Sequence, residues 1–149
     1  MKAIQSGGRM YQQNSSHQQW LEQAITSLGG VAGTVHIPRE QFLHLTAAVH
    51  IPEPVLKIVA CIPDGKGMAG LAQMRKQAVQ TCDLQNDASG DVRPGAKAVN
   101  AQAAIAVPLL DTQGEVQAVI GIAWNTAGEL TGEQQQQINA RVSEFSGHL

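Results

Sequence analysis

"DGKGMAG", Asp64 to Gly70, lies near the middle of a 149-residue chain and holds a Gly-x-Gly-x-x-Gly spacing. In dinucleotide folds that spacing comes after the first strand and opens a helix whose N-terminus takes the pyrophosphate, within a series of parallel βαβ units. Here the loop comes late, and the chain beyond it is hairpin material rather than alternating strands and helices. Asp83 and Asp87 stand at distances tempting for a ribose contact, but a lone acidic residue about twenty positions on is common by chance. Gly65 and Gly67 therefore read as a tight turn, and Gly70 as a point of close helix approach. The dinucleotide match is a false positive.

Outward from this loop the elements can be placed one by one. Towards the N-terminus, "PEPVLKIVA" (52–60) suits a short helix, with Pro54 in its first turn, although the apolar run would also serve as a strand. Before it, "VAGTVHI" (31–37) and "QFLHLTAAVH" (41–50) read as two strands joined by "PRE". Simple alternation puts Leu43, Leu45, Ala47 and Val49 on one face of the second strand. Phe42, His44, Thr46, Ala48 and His50 then take the other. A first helix, capped by Ser15 or Ser16, carries Trp20, Leu21, Ala24, Ile25 and Leu28 on one stripe and ends at Gly29-Gly30. The first 14 residues, rich in Gly, Gln, Ser and Asn, read as a flexible arm ahead of one domain over 15–149.

On the C-terminal side, "MAGLAQMRKQA" is helical in propensity, "VQTCDL" is a short extended segment, and residues 85–100 form a long loop. "AQAAIAVPLL", "DTQG" and "EVQAVIGIAW" make a β-hairpin. Thr131 with Gln134 offers a capping box for a last helix whose stripe is Ile138, Val142 and Phe145, with the glutamines at 134–137 on its solvated face. Helix, two strands, short helices, hairpin and helix make an α+β fold with a largely antiparallel sheet.

Composition narrows the function. Charged residues are 15% of the chain and the net charge is −2, with no basic run, so nucleic acid is not an expected partner. No apolar stretch approaches the roughly 18 residues of a membrane span, and the N-terminus lacks the apolar core of a secretory signal. Cys61 and Cys82 have no metal-ligand spacing and read as small buried hydrophobes. A cytoplasmic location is expected. His36, His44 and His50 invite a metal or haem reading, but histidines alternating outward on strands are usually solvated or hydrogen-bonded, so neither metal nor cofactor is expected. Trp20 and Trp124 read as packing residues. No nucleophile–base pair or carboxylate pair stands out, and no enzymatic activity is expected.

The order and spacing of three pieces resemble the GAF domain family over about residues 16–147: "IPDGKGMAG", then "VQTCDL", then "AIAVPLLDTQGEVQAVIGIAW". The resemblance implies a central antiparallel sheet of about five or six strands. The first and last helices would share one face of it, with ligand loops on the other. Free methionine-(R)-sulfoxide reductases are similar to this chain in size and fold, yet their cysteine positions here hold Ala69 and residues around Lys97. Cys61 alone cannot both attack and resolve a disulfide, so that activity is expected to be absent. Residues 83–100 contain neither the cysteine nor the histidine of bilin-binding members, and the Asn-Lys-x-Phe-Asp-Glu signature of cyclic-nucleotide members is missing.

What the resemblance leaves is a stand-alone sensory module for a small ligand, an anion among the candidates, signalling through a partner protein. A degenerate enzyme of the reductase type, motivated by Cys61 ahead of the glycine loop, and a ligand-free structural or dimerisation module are the competing readings. A helix beginning near Gly67 offers free N–H groups to an anion, and Lys66 adjoins it. Nitrate-sensing members implicate Met68 and Ala69 beside Gly67, with Ala98 and Val99 from the long loop. His44 and Thr46 would supply a neighbouring wall, and Ala104, Ala106, Gly121 and Ala123 would leave room beside the sheet or, the commoner reason for such residues, let a helix pack closely on it. The first and last helices, with uncharged glutamines beside their stripes, suggest a homodimer.

Overall fold

The computed structural model describes residues 11–81, 102–126 and 128–149. Helix α1 (Ser15–Leu28) leads into strands β1 (Ala32–Arg39) and β2 (Phe42–Val49), then helix α2 (Glu53–Val59) and the short strand β3 (Cys61–Pro63). Helix α3 (Gly67–Arg75), strand β4 (Val79–Thr81), the hairpin of β5 (Ala103–Leu110) and β6 (Val116–Trp124), and helix α4 (Gly132–Glu144) complete the order, with a 3₁₀ turn at Phe145–His148. The strands form one six-stranded sheet in the order β3-β2-β1-β6-β5-β4. Every neighbouring pair is antiparallel. A dinucleotide fold needs a parallel sheet, so the glycine loop cannot serve one here.

The helical stripes go where their spacing sends them. Trp20, Leu21, Ala24 and Ile25 of α1 join Ile138, Val142 and Phe145 in one buried cluster with Val35, Ala47, Val107 and Ile120 of the sheet. The Trp20 and Phe145 rings meet edge-on at 4.9 Å. Both stripes are thus buried against the chain's own sheet, the competing use of such a stripe, and the apolar surface that suggested a homodimer is covered. Trp124 packs on the same cluster, and its Nε1 donates to the Leu28 carbonyl at 3.0 Å. Gly33 permits the close contact of α1 with β1. A Cβ there would meet Ile25 Cδ1 at 2.7 Å and the Gly121 carbonyl at 2.8 Å.

The α1 cap differs from expectation. Asn14, not Ser15 or Ser16, is the N-cap, its side-chain oxygen accepting from His17 N–H at 3.0 Å. The Asn14 N–H donates to the Thr46 carbonyl at 2.8 Å and so ties the residue before α1 to β2. At α4 the Thr131–Gln134 capping box forms in both directions. Residues 53–59, open between helix and strand by sequence, are the helix α2, with proline in its first turn.

Strand β2 departs most from simple alternation. Val35 pairs with Ala47, but the next residue, His36, pairs with Leu45, so Thr46 is the extra residue of a β-bulge. Beyond a bulge the facing residues exchange sides. Ala47 and Val49 pack with α1, whereas Leu43 packs on the other face with Met68, Ala69 and Ala72. The single-faced set Leu43, Leu45, Ala47 and Val49 is therefore split in two.

Candidate functional site

The glycines of the Asp64–Gly70 loop shape a turn. Gly65 and Gly67 have φ of 80° and 68°, in the left-handed region that side chains disfavour. A Cβ on Gly70 would meet the Pro63 carbonyl at 2.9 Å, so Gly70 lets α3 fold back on the loop that starts it. The Gly65 N–H donates to the Gly70 carbonyl at 3.0 Å. This turn swings the chain from the edge strand β3 over the open face of the sheet.

Beneath α3 lies a cavity of about 190 Å³. Its floor is the sheet: Ala32, Thr34 and His36 from β1, Ala104 and Ala106 from β5, Gly121 and Ala123 from β6. Cross-strand pairing sets Ala104 against Ala123 and Ala106 against Gly121, which puts four small residues side by side. Small side chains over a close-packed sheet leave space that larger ones would fill. Val55, Ile58 and Val59 of α2, with Ile51, form one wall, Ile62 and Pro63 another, and Lys66 to Ala69 the roof.

Of the sequence-predicted site residues, Gly67, Met68 and Ala69 line this cavity, as do Ala104, Ala106, Gly121 and Ala123. His44 and Thr46 are not among its lining residues. The bulge explains Thr46: its Oγ1 lies 2.8 Å from His17 Nδ1, under α1. His44 pairs with Cys61 and Ile37, one residue out of step with the cavity-facing pairs Leu43–Ile62 and Leu45–His36. His50 is exposed, with Nδ1 2.9 Å from the Val31 carbonyl. Ala98, Val99, Lys97 and Cys82 lie outside the described residues.

The site residue that sequence reasoning misses is His36. It is 2% exposed and lines the cavity. Its Nε2 lies 2.9 Å from the Val59 carbonyl. A carbonyl only accepts, so Nε2 carries the ring proton and donates. Nδ1 is then a lone-pair acceptor, and it is buried without a partner. Burial pushes the His36 pKa down to about 4; the Val59 bond opposes that shift and nearby His44 adds to it. The imidazole is therefore neutral at pH 7. The signal is present in "AGTVH", where Ala32, Thr34 and His36 share one face, but a histidine in that pattern looks the same whether it meets water or a cavity.

Among the described residues the polar side chains in the lining are Thr34, His36 and Lys66, with no acidic side chain or thiol. Cys61 is exposed on β3, away from the lining. Among the described residues no group of three His, Cys, Asp or Glu side chains is placed to hold a metal ion, and no helix is long and apolar enough to cross a membrane.

A curled antiparallel sheet with two helices packed on one face and a helix-roofed cavity on the other defines a class of small ligand-binding domains. The chain belongs to the GAF domain family, whose profile matches residues 18–144. Similar solved structures include the GAF domain of an Acinetobacter phosphoenolpyruvate-protein phosphotransferase (14% identity, 91% of this chain and 82% of that one, TM-score 0.69). The A. aeolicus nlh2 GAF domain in an inactive state is similar at 17% identity, over 91% and 86% of the two chains, with a TM-score of 0.68. A type II free methionine-R-sulfoxide reductase from Thermoplasma acidophilum is similar at 19% identity, over 85% and 84%, with a TM-score of 0.66. The search of curated proteins returns no match. At these identities the likeness is one of fold.

Proposed function

We propose that this chain is a sensory module that binds a small ligand in the cavity beneath α3 and passes the signal to a partner protein. The observation that carries the reading is the cavity itself: about 190 Å³ kept open by alanines and glycines on three adjacent strands. Concave, mostly apolar sites with a few polar groups are the usual form of small-molecule sites. GAF domains are generally regulatory modules of this kind, which supports the signalling role. Ligand occupancy would act through α2 and α3, which frame the cavity while α1 and α4 stay docked on the opposite face.

A small anion is the second reading, favoured by Lys66 and the first turn of α3 at the roof. Reductase chemistry has less support, since the one thiol among the described residues is exposed on β3, outside the cavity lining. Thermal unfolding with a panel of uncharged aromatics, oxyanions and amino acids tests the module reading. A ligand at 100 times its Kd stabilises the native state by about 2.7 kcal/mol, an upward shift of roughly 5–10 °C for a chain this size. No shift with any compound would count against a ligand role. Turnover of free methionine sulfoxide with a thiol reductant, lost in Cys61→Ser, would replace the sensor reading with the reductase one.

A further inference from the structure

We propose that the Thr34 hydroxyl is the polar anchor of the cavity, the group on which a hydrogen-bonding atom of the ligand seats at the floor. This rests on the reading of the cavity as the ligand site, and it names the residue that selects among molecules small enough to enter. Three observations carry it. The first is an unused group. Thr34 lines the floor, and among the described residues its hydroxyl has no hydrogen-bond partner.

The second is access. Strand β1 lies inside the sheet between β2 and β6, and α1 packs on its other face. On the cavity face Ala32 and His36 are each 2% exposed, whereas Thr34 between them is only partly buried. Nδ1 of His36 is sealed in protein; the unpartnered Thr34 hydroxyl is not. The open surface of Thr34 therefore faces the cavity.

The third is the space kept over it. Thr34 pairs with Gly121, which pairs in turn with Ala106. A Cβ on Gly121 would meet Thr34 Oγ1 at 2.7 Å, so the glycine leaves the hydroxyl uncovered. Valine has the same shape and suits a strand as well, so the sheet itself has no use for the oxygen. A hydroxyl both donates and accepts, and it can match a hydroxyl, carbonyl, amide or carboxylate on a ligand. A molecule that brings only hydrocarbon to the floor strips this hydroxyl of water and offers no partner in return.

Phenol and toluene are the probes. A cavity of about 150 Å³ holds benzene, so one of about 190 Å³ takes either, and the two differ by a hydroxyl in place of a methyl. Dissociation constants come from NMR titration of the native chain, Thr34→Val and Thr34→Ser. The valine removes the oxygen at nearly constant shape. It should weaken phenol about tenfold without weakening toluene, the usual scale for orphaning a buried hydrogen bond. Thr34→Ser should keep the phenol affinity, which a role confined to the threonine methyl would not. In a crystal of the native chain with phenol, the phenol oxygen should lie about 2.8 Å from Thr34 Oγ1. That distance decides alone if the variants do not fold. Phenol unchanged in Thr34→Val, both probes weakened alike, or a phenol oxygen seated on Lys66 would overturn the anchor and leave the cavity reading standing. Failure of both probes to bind the native chain would take the cavity reading down, and the anchor with it.

Discussion

Lowering the pH should destabilise this protein through His36, and the effect can be isolated. The folded-state pKa is pushed down to about 4, chiefly by burial, from the ordinary 6.5. Above pH 6.5 the imidazole is neutral in both folded and unfolded chains, and its contribution to stability is complete. Below 6.5 the unfolded chain takes up a proton that the folded chain refuses, so stability falls by about 1.4 kcal/mol per pH unit. The loss continues to about pH 4 and then levels off, because both states are protonated there. Over that window the total is about 3 kcal/mol, the width of the shift multiplied by the energy of one pKa unit.

Urea denaturation of the native chain and of His36→Leu at pH 7.5, 5.5 and 4 measures it. The leucine cannot titrate, whereas carboxylates and other histidines titrate in both chains and cancel in the difference. At pH 7.5 the variant should be less stable by about 1–3 kcal/mol, since the Val59 carbonyl loses its donor. At pH 4 the native chain should have lost about 3 kcal/mol relative to the variant, so the order closes or reverses. Parallel pH profiles for the two chains would refute the claim that His36 is buried neutral.

Other substitutions test separate parts of the structure. Ala104→Leu should fill the cavity, weakening phenol binding at least tenfold in NMR titration while moving the melting temperature by only a few degrees. Gly121→Ala places a Cβ 2.7 Å from Thr34 Oγ1 and should cost about 1–3 kcal/mol in urea denaturation; adding Thr34→Ala should recover much of it. Trp20→Ala empties space against Phe145 and should cost about 3–5 kcal/mol, with no change in mass by light scattering. A halved mass would show instead that α1 belongs to a dimer interface. Thr131→Ala should remove about 1 kcal/mol with the capping box.

Much of the fold is legible in the sequence because it is written in short-range patterns. The β5–β6 hairpin, the stripes of α1 and α4 and the Thr131–Gln134 cap each arise from residues close in sequence. The glycine loop reads correctly as a turn, because its position excludes the βαβ context. The bulge at Thr46 is not legible: it is a property of how β2 pairs with β1, and nothing in "FLHLTAAV" marks which residue is extra. That one residue moves Thr46 under α1 and leaves Leu43 and Leu45 facing away from Ala47 and Val49. The edge strand β3 is three residues long and defined by its pairing with β2, so its sequence carries little strand signal. The small residues of the hairpin mark a place where something approaches the sheet closely, but the sequence alone leaves open whether that is a helix or a cavity, and the structure puts them on the cavity floor. His36 carries no such mark, because its role depends on α2 delivering the Val59 carbonyl to Nε2 across 23 residues of chain.

The central claim, that a small ligand occupies the space between α3 and the sheet, is tested most directly by methyl-labelled methionine NMR. Met68 lines the cavity from the roof, whereas Met74, on the same helix, is 60% exposed and outside the lining. Titration with phenol and with toluene should move the Met68 methyl signal saturably and leave that of Met74 in place. Saturable binding that leaves Met68 unmoved, or that moves Met74 instead, would contradict the account.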